Sequence, residues 1–350
     1  MRITHSNTLV NGPHRAGLAG AGLVGAGLVS EGRVGKGLAG AGLVGGGLVI
    51  GLVNNMPPAA LRAAEQQFRA LVAAAPGAPV RLRVFVDRAA HPCPSEAHED
   101  LDALWNAQLD GLIVTGTEPR ARAMTGEPLW PGLAAIADWA CENTLSTIWS
   151  CMAAHAAAYR LDGVERVRLP EKLWGVFACA RASDHPLVAD ASARWPVPHS
   201  RRNALDERDL IGAGYRILSR APRVGADIFI KQARQSLFVM AQGHPEYGPD
   251  SLLREYRREV KRFLDGQRDH YPEMPEGYFD QAATARFTAL RDAIATDPAT
   301  APLDLLSCGG GFAPVRDWST HATRLYARWL SLLAGRKAET SRPSRVRVAA

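Results

Sequence analysis

The spacing of apolar positions along the chain changes several times, and each change marks an element. "VIGLV" (49–53) is a continuous apolar run of strand length. In the segment after it, Leu61, Ala64, Phe68, Leu71 and Val72 recur at three- and four-residue steps, the mark of an amphipathic helix. "VRLRVFV" (80–86) alternates and is β-branched, which predicts a strand. A polar helix is expected near 96–107, a short strand in "DGLIVTG" (110–116), and a helix over 130–143. "LSTIWS" (145–150) reads as a strand and 152–160 as a helix. From about 174 shorter strands take over, in "WGVFACA", "YRILSR", "ADIFIKQ" and "SLFVMAQG". Helices are expected at roughly 250–266, 281–296 and 318–334.

Strands and helices that alternate over short connections imply a parallel sheet covered on both faces. The fold expected is therefore α/β: a doubly wound, mostly parallel sheet with a β-rich second half. In such sheets ligands gather at the carboxyl ends of the strands.

The front of the chain follows another rule. From Gly17 to Gly47 a glycine recurs every five residues, usually followed by leucine. Period five suits neither helix nor strand, and glycine this dense makes ordering costly. Residues 1–47 are expected to be a low-complexity, disordered extension, 48–335 the folded domain, and 336–350 a basic disordered tail. Deleting 1–46 or 336–350 is expected to leave folding and turnover nearly intact. Glu31, Arg33 and Lys36 interrupt the repeat as a signal peptide, and its glycines weaken it as a membrane span.

Charge narrows the partners. The net charge is +6, but 336–350 contribute +4 and 1–36 contribute +3, which leaves the body at −1. A near-neutral body offers no basic face for nucleic acid. The five cysteines (Cys93, Cys141, Cys151, Cys179, Cys308) are scattered without zinc spacing, which argues against a disulfide framework or structural metal and suits a reducing cytoplasm.

Candidate chemistry centres on "STIWSCMAAHA" (146–156). Cys151 follows a strand and precedes a helix, with small Ala153 two residues on. That is the layout of a nucleophile elbow, in which helix amides face the nucleophile. A cysteine nucleophile needs a base. "VMAQGHPEYG" (239–248) supplies His244 at the end of another strand, with Glu246 to orient it.

Taken in order, "DGLIVTG", Trp130 and Trp139, "STIWSCMAAHAA", "LPEKLWGVF", "PHSR", "GHPEY", "EYRREV" and the closing "APVRDWSTHATRLYARWLSLL" resemble the homoserine O-succinyltransferase family. The resemblance spans about 48–335. It implies a class I glutamine-amidotransferase-like fold and the first committed step of methionine synthesis. It also implies succinyl-CoA as co-substrate with no cofactor, and L-homoserine as acceptor. Position by position, Cys151 matches the acyl-carrying cysteine, His244 the base and Glu246 its partner. Lys172, Ser200 and Arg258 match substrate-binding positions.

Two departures stand out. Met56-Pro57 is followed by Pro58, Ala59 and Ala60 where the family usually has lysines. The position tied to acyl-donor choice, typically glycine or glutamate, is Arg120. A guanidinium there is expected to favour a donor that ends in a carboxylate. Homoserine or serine O-acetylation stays open as an alternative. A glutamine-amidotransferase-type amidohydrolase ranks lower, because Trp149 and Ala153 stand where that class has glycines. No nucleic-acid or membrane partner is expected; the reading admits a homodimer without fixing the oligomeric state.

Overall fold

The computed structural model describes residues 47–77, 79–91, 95–297 and 314–341. The glycine repeat through residue 46, Cys93 and Cys308 lie outside the described residues. In chain order the main elements are β1 (Leu48–Val53), α1 (Pro58–Ala74), β2 (Val80–Val86), β3 (His98–Asp100) and β4 (Gly111–Val114). Then come α2 (Trp130–Asn143), β5 (Ser146–Ser150), α3 (Met152–Asp162), β6 (Arg166–Arg181) and β7 (Arg194–Leu205). The last are α4 (Glu207–Gly212), β8 (Arg216–Ala221), β9 (Gly225–Ala233), β10 (Ser236–Ala241), α5 (Ser251–Leu264), α6 (Gln281–Thr296) and α7 (Ser319–Thr340).

The strands make one sheet in the order β3-β2-β1-β4-β5-β10-β9-β8-β6-β7. Pairing is parallel from β3 to β10 and antiparallel from β10 to β7. This matches the expected architecture: a parallel half from the βαβ repeats and a β-rich half after them. Ile50, Leu52, Leu112, Ile113 and Phe238 are fully buried, as continuous apolar runs in a doubly covered sheet should be. β5 and β10 are parallel neighbours, Trp149 opposite Met240. Their carboxyl ends, which carry Cys151 and the loop to His244, are therefore adjacent.

Three local readings are corrected. Residues 98–100 form a three-residue edge strand on β2, followed by a tight 3₁₀ turn over Leu101–Asn106, in place of one helix. β7 escaped the sequence reading because Pro196 and Pro198 lack the N–H that a central strand needs; it lies at the sheet edge, where proline is tolerated. α7 continues to Thr340, so 336–340 are helical and belong to the folded body; 342–350 lie outside the described residues. Among the described residues, no helix is long and apolar enough to cross a membrane.

Candidate active site

Cys151 stands where β5 gives way to α3. Its φ of 50° and ψ of −111° lie outside the ordinary regions for an L-residue, at a strain of about 1–3 kcal/mol. The neighbours fix it there. Its N–H donates to Ala241 O at the end of β10 (2.7 Å), and its carbonyl accepts from the His155 N–H (3.2 Å). The first-turn amides of α3 have no acceptor within the helix. Gly116, at the end of the β4 strand-turn, leaves them open: a Cβ there would sit 2.8 Å from Ser150 O and 2.9 Å from the Met152 N.

His244 reaches the same point from β10. Its N–H donates to Pro198 O (2.8 Å), and its ring stacks on Tyr247 with centroids 4.2 Å apart. Nδ1 bonds Glu246 Oε1 at 2.9 Å, and Ser150 Oγ donates to that same oxygen at 2.9 Å. The residue before the nucleophile thus pins the acid. With Nδ1 engaged, Nε2 is the ring nitrogen left to act on Cys151. Burial works against a charge on His244, but negative charge at Cys151 and Glu246 outweighs it and raises its pKa well above the usual imidazole range.

Around the cysteine lies a cavity of about 330 Å³ lined by Cys151, His244, Glu246, Lys172, Ser200 and Arg258. The structure thus brings together six of the residues singled out from the sequence. Lys172 and Ser200 converge on Glu255, whose Oε2 accepts from Lys172 Nζ (3.2 Å) and Ser200 Oγ (2.5 Å) while Oε1 accepts from the Tyr247 hydroxyl (2.5 Å). Burial alone would raise the Glu255 pKa; Lys172 and the two hydroxyls reverse that and hold it below the usual range. Burial pushes the Lys172 pKa down, opposed by Glu255. Arg258 is exposed at the rim and leans on Glu259 at 3.3 Å.

Arg120 is the exception. It is exposed and does not line the cavity; it faces an adjoining, more open cleft of about 800 Å³. Its backbone N–H donates to Glu127, which is buried against Arg166. Where the family usually has lysines, Pro58 to Ala60 simply begin α1 and supply no cation.

Several site residues escaped the sequence reading. Arg201 lines the cavity and is buried, its guanidinium donating to Asn203 O and Val224 O. Burial lowers its pKa, and negative charge at Cys151 is the leading effect that opposes this, so the two charges support each other. Glu255 stands three residues before Arg258 and four before Glu259 on α5, a spacing that "EYRREV" did contain. His155, which the sequence places one turn into the helix after Cys151 as a packed neighbour, also lines the cavity; burial pushes its pKa down to about 3, and its Nε2 bonds Gln242 Oε1 at 3.0 Å.

Among the described residues one set, Cys179, His199 and Asp227, brings ligand-type atoms within 4.8 Å of one another. All three are fully buried, and Ser219 Oγ donates to Asp227 Oδ2 at 2.8 Å. Burial and then Asp227 push the Cys179 pKa up, so its thiol stays protonated. This knot backs Gly243, where a Cβ would meet Asp227 Oδ1 at 2.8 Å and His199 Cε1 at 2.9 Å. It seats the loop that carries His244.

The family model described as homoserine O-succinyltransferase matches residues 46–339. The chain is 47% identical over 296 residues to a homoserine O-succinyltransferase of Rhodopseudomonas palustris, covering 81% of this chain and 88% of that one. It is 43% identical over 297 residues to one from Methylorubrum extorquens, covering 83% and 88%. Among solved structures, a glutamine amido transferase from Methylobacillus flagellatus aligns at TM-score 0.49 and 16% identity over 82% of this chain and 95% of that one.

Proposed function

Because the chain belongs to the homoserine O-succinyltransferase family, we propose that it transfers succinyl from succinyl-CoA to the hydroxyl of L-homoserine through a thioester on Cys151. The observation that carries this reading is the Cys151–His244–Glu246 line at the elbow, with Nδ1 of His244 fixed to the acid at 2.9 Å.

The Cys151 thiolate attacks the thioester carbonyl of the donor. The first-turn amides of α3 face the oxyanion that forms, a role that backbone amides fill without lysines after Pro57. The carbonyl re-forms, the C–S bond to coenzyme A breaks, and the departing thiolate takes the proton from His244 Nε2. Acylation removes the negative charge at Cys151, the leading influence that holds His244 protonated against burial. The imidazole is therefore left neutral when it is next needed as a base. The homoserine hydroxyl then gives its proton to Nε2 and attacks the Cys151 thioester; the C–S bond breaks and the thiolate returns. Arg258 is suited to the homoserine carboxylate, and Glu255 holds Lys172 and Ser200 in place beside it. The reaction needs no cofactor beyond the co-substrate.

The test is the intact mass of the protein after brief exposure to succinyl-CoA without acceptor, with acetyl-CoA and glutamine in parallel. A succinyl adduct on Cys151, discharged by L-homoserine, is the expected result. An adduct on Cys141 or Cys179, or none with succinyl-CoA, refutes the mechanism.

A further inference from the structure

The cavity of about 330 Å³ is at the small end of ligand pockets. It suits homoserine and a succinyl group, so the rest of an acyl-CoA, a long pantetheine arm ending in a phosphate-rich nucleotide, has to lie outside. The adjoining cleft of about 800 Å³ shares Thr117, Glu118, Pro119, Arg202 and Glu259 with the cavity and so opens directly from it. Its lining holds four arginines, Arg120, Arg202, Arg262 and Arg268, against three carboxylates.

The arginines fall into two kinds. Arg262 is gripped by Glu118 (3.1 Å to each oxygen) and by Glu259 (2.9 Å), and Arg268 by Glu259 (2.9 Å). These pairs build the wall and neutralise it. Arg120 and Arg202 are exposed, and among the described residues neither guanidinium has a hydrogen bond or ion pair. Two free, fixed-charge forks at the mouth of a channel to the nucleophile are suited to phosphate.

We propose that this cleft holds the nucleotide end of the acyl-CoA, with Arg120 and Arg202 pairing its phosphates; the assignment rests on the acyltransferase reading above. Arg120 thereby takes a different part from the one its sequence position suggests: it recognises the carrier and not the acyl group. A second hollow of about 480 Å³, beside Arg122 and Arg166, touches the cavity only through Arg168 and is the competing location.

The experiment compares succinyl-CoA with succinyl-pantetheine, which lacks the nucleotide, in the full chain and in the double variant Arg120→Ala/Arg202→Ala. Both side chains are exposed, so the fold should survive their removal. For succinyl-CoA the double variant should raise KM about tenfold with kcat within about twofold. For succinyl-pantetheine KM should already be high in the unaltered protein and should not rise further. Added salt should weaken succinyl-CoA binding by the unaltered protein and have less effect on the variant. Equal changes for both donors, no change, or the same KM rise from Arg122→Ala/Arg168→Ala in its place overturns the cleft assignment alone. If the unaltered protein turns over neither thioester, the acyltransferase reading falls and the assignment with it.

Discussion

At His244, burial and charge pull one proton in opposite directions, and charge wins because Cys151 and Glu246 both face the ring. Glu246→Gln removes one of the two influences that favour imidazolium, so the His244 pKa should fall. The acylation step needs that imidazolium to protonate the departing thiolate, so its rate declines as pH rises through the His244 pKa. In Glu246→Gln the alkaline limb of single-turnover acylation should therefore move to lower pH, with kcat reduced about 10²- to 10⁴-fold. The amide oxygen still accepts from Ser150, which preserves the fold. A limb that stays in place would mean that Glu246 does not act through His244. His155 should add nothing to the profile near neutrality, because burial holds its pKa near 3. Cys151, His244 and Glu246 were legible in the sequence because each follows a short apolar strand. Arg201 was not, and Glu255 and Glu259 showed only as helical spacing in "EYRREV", since their roles depend on contacts such as Glu255 to Lys172, 83 residues away.

The elbow is an arrangement of elements, and Gly116 is where two of them touch. A methyl group there would lie 2.8 Å from Ser150 O and 2.9 Å from the Met152 N, both backbone atoms that move only if the elbow moves. Gly116→Ala should lower kcat by about 100-fold, the scale of losing one oxyanion donor, while circular dichroism stays unchanged. Gly132, in α2 with nothing within 4 Å of its would-be Cβ, is the control; Gly132→Ala should keep full activity and gain up to about 1 kcal/mol of stability. Similar activity in the two variants would remove Gly116 from the account. Most of the parallel half of the sheet was legible from period alone, because βαβ repeats leave one sensible arrangement. Two elements were not. β7 carries prolines that argue against a central strand yet sit well at an edge, and 98–106 has helix-like spacing that a three-residue edge strand and a 3₁₀ turn satisfy equally.

Across the whole molecule the first and last described elements are tied together, and this revises where the chain can be cut. Composition alone makes everything after residue 335 a solvated tail. In the fold, α7 lays Trp329 and Leu333 against Gly111, where a Cβ would meet them at 3.0 and 2.7 Å. Its next turn then reaches back to the sheet. Arg336 donates to Leu145 O (2.7 Å) and Gln232 Oε1 (2.9 Å), and Lys337 donates to Asp110 (2.8 Å) and Gly47 O (2.8 Å). Asp110 in turn accepts from the Val49 N–H at 2.7 Å, so one carboxylate joins the start of β1 to the end of α7. A chain ending at 341 keeps all of these contacts and should match the full protein in melting temperature and turnover. A chain ending at 335 keeps Trp329, Leu333 and the Val49–Asp110 bond but loses these four bonds of Arg336 and Lys337, which leaves the carbonyl of Leu145 and the Asp110 carboxylate each one partner short. At about 0.5 kcal/mol for each of these four partly exposed contacts, some 2 kcal/mol is lost, a fall of about 3 °C in Tm for a folded body of about 290 residues. Thermal denaturation of the two truncations decides between composition and contact: equal Tm values would return 336–340 to the tail, and a gap of that size places them in the core assembly.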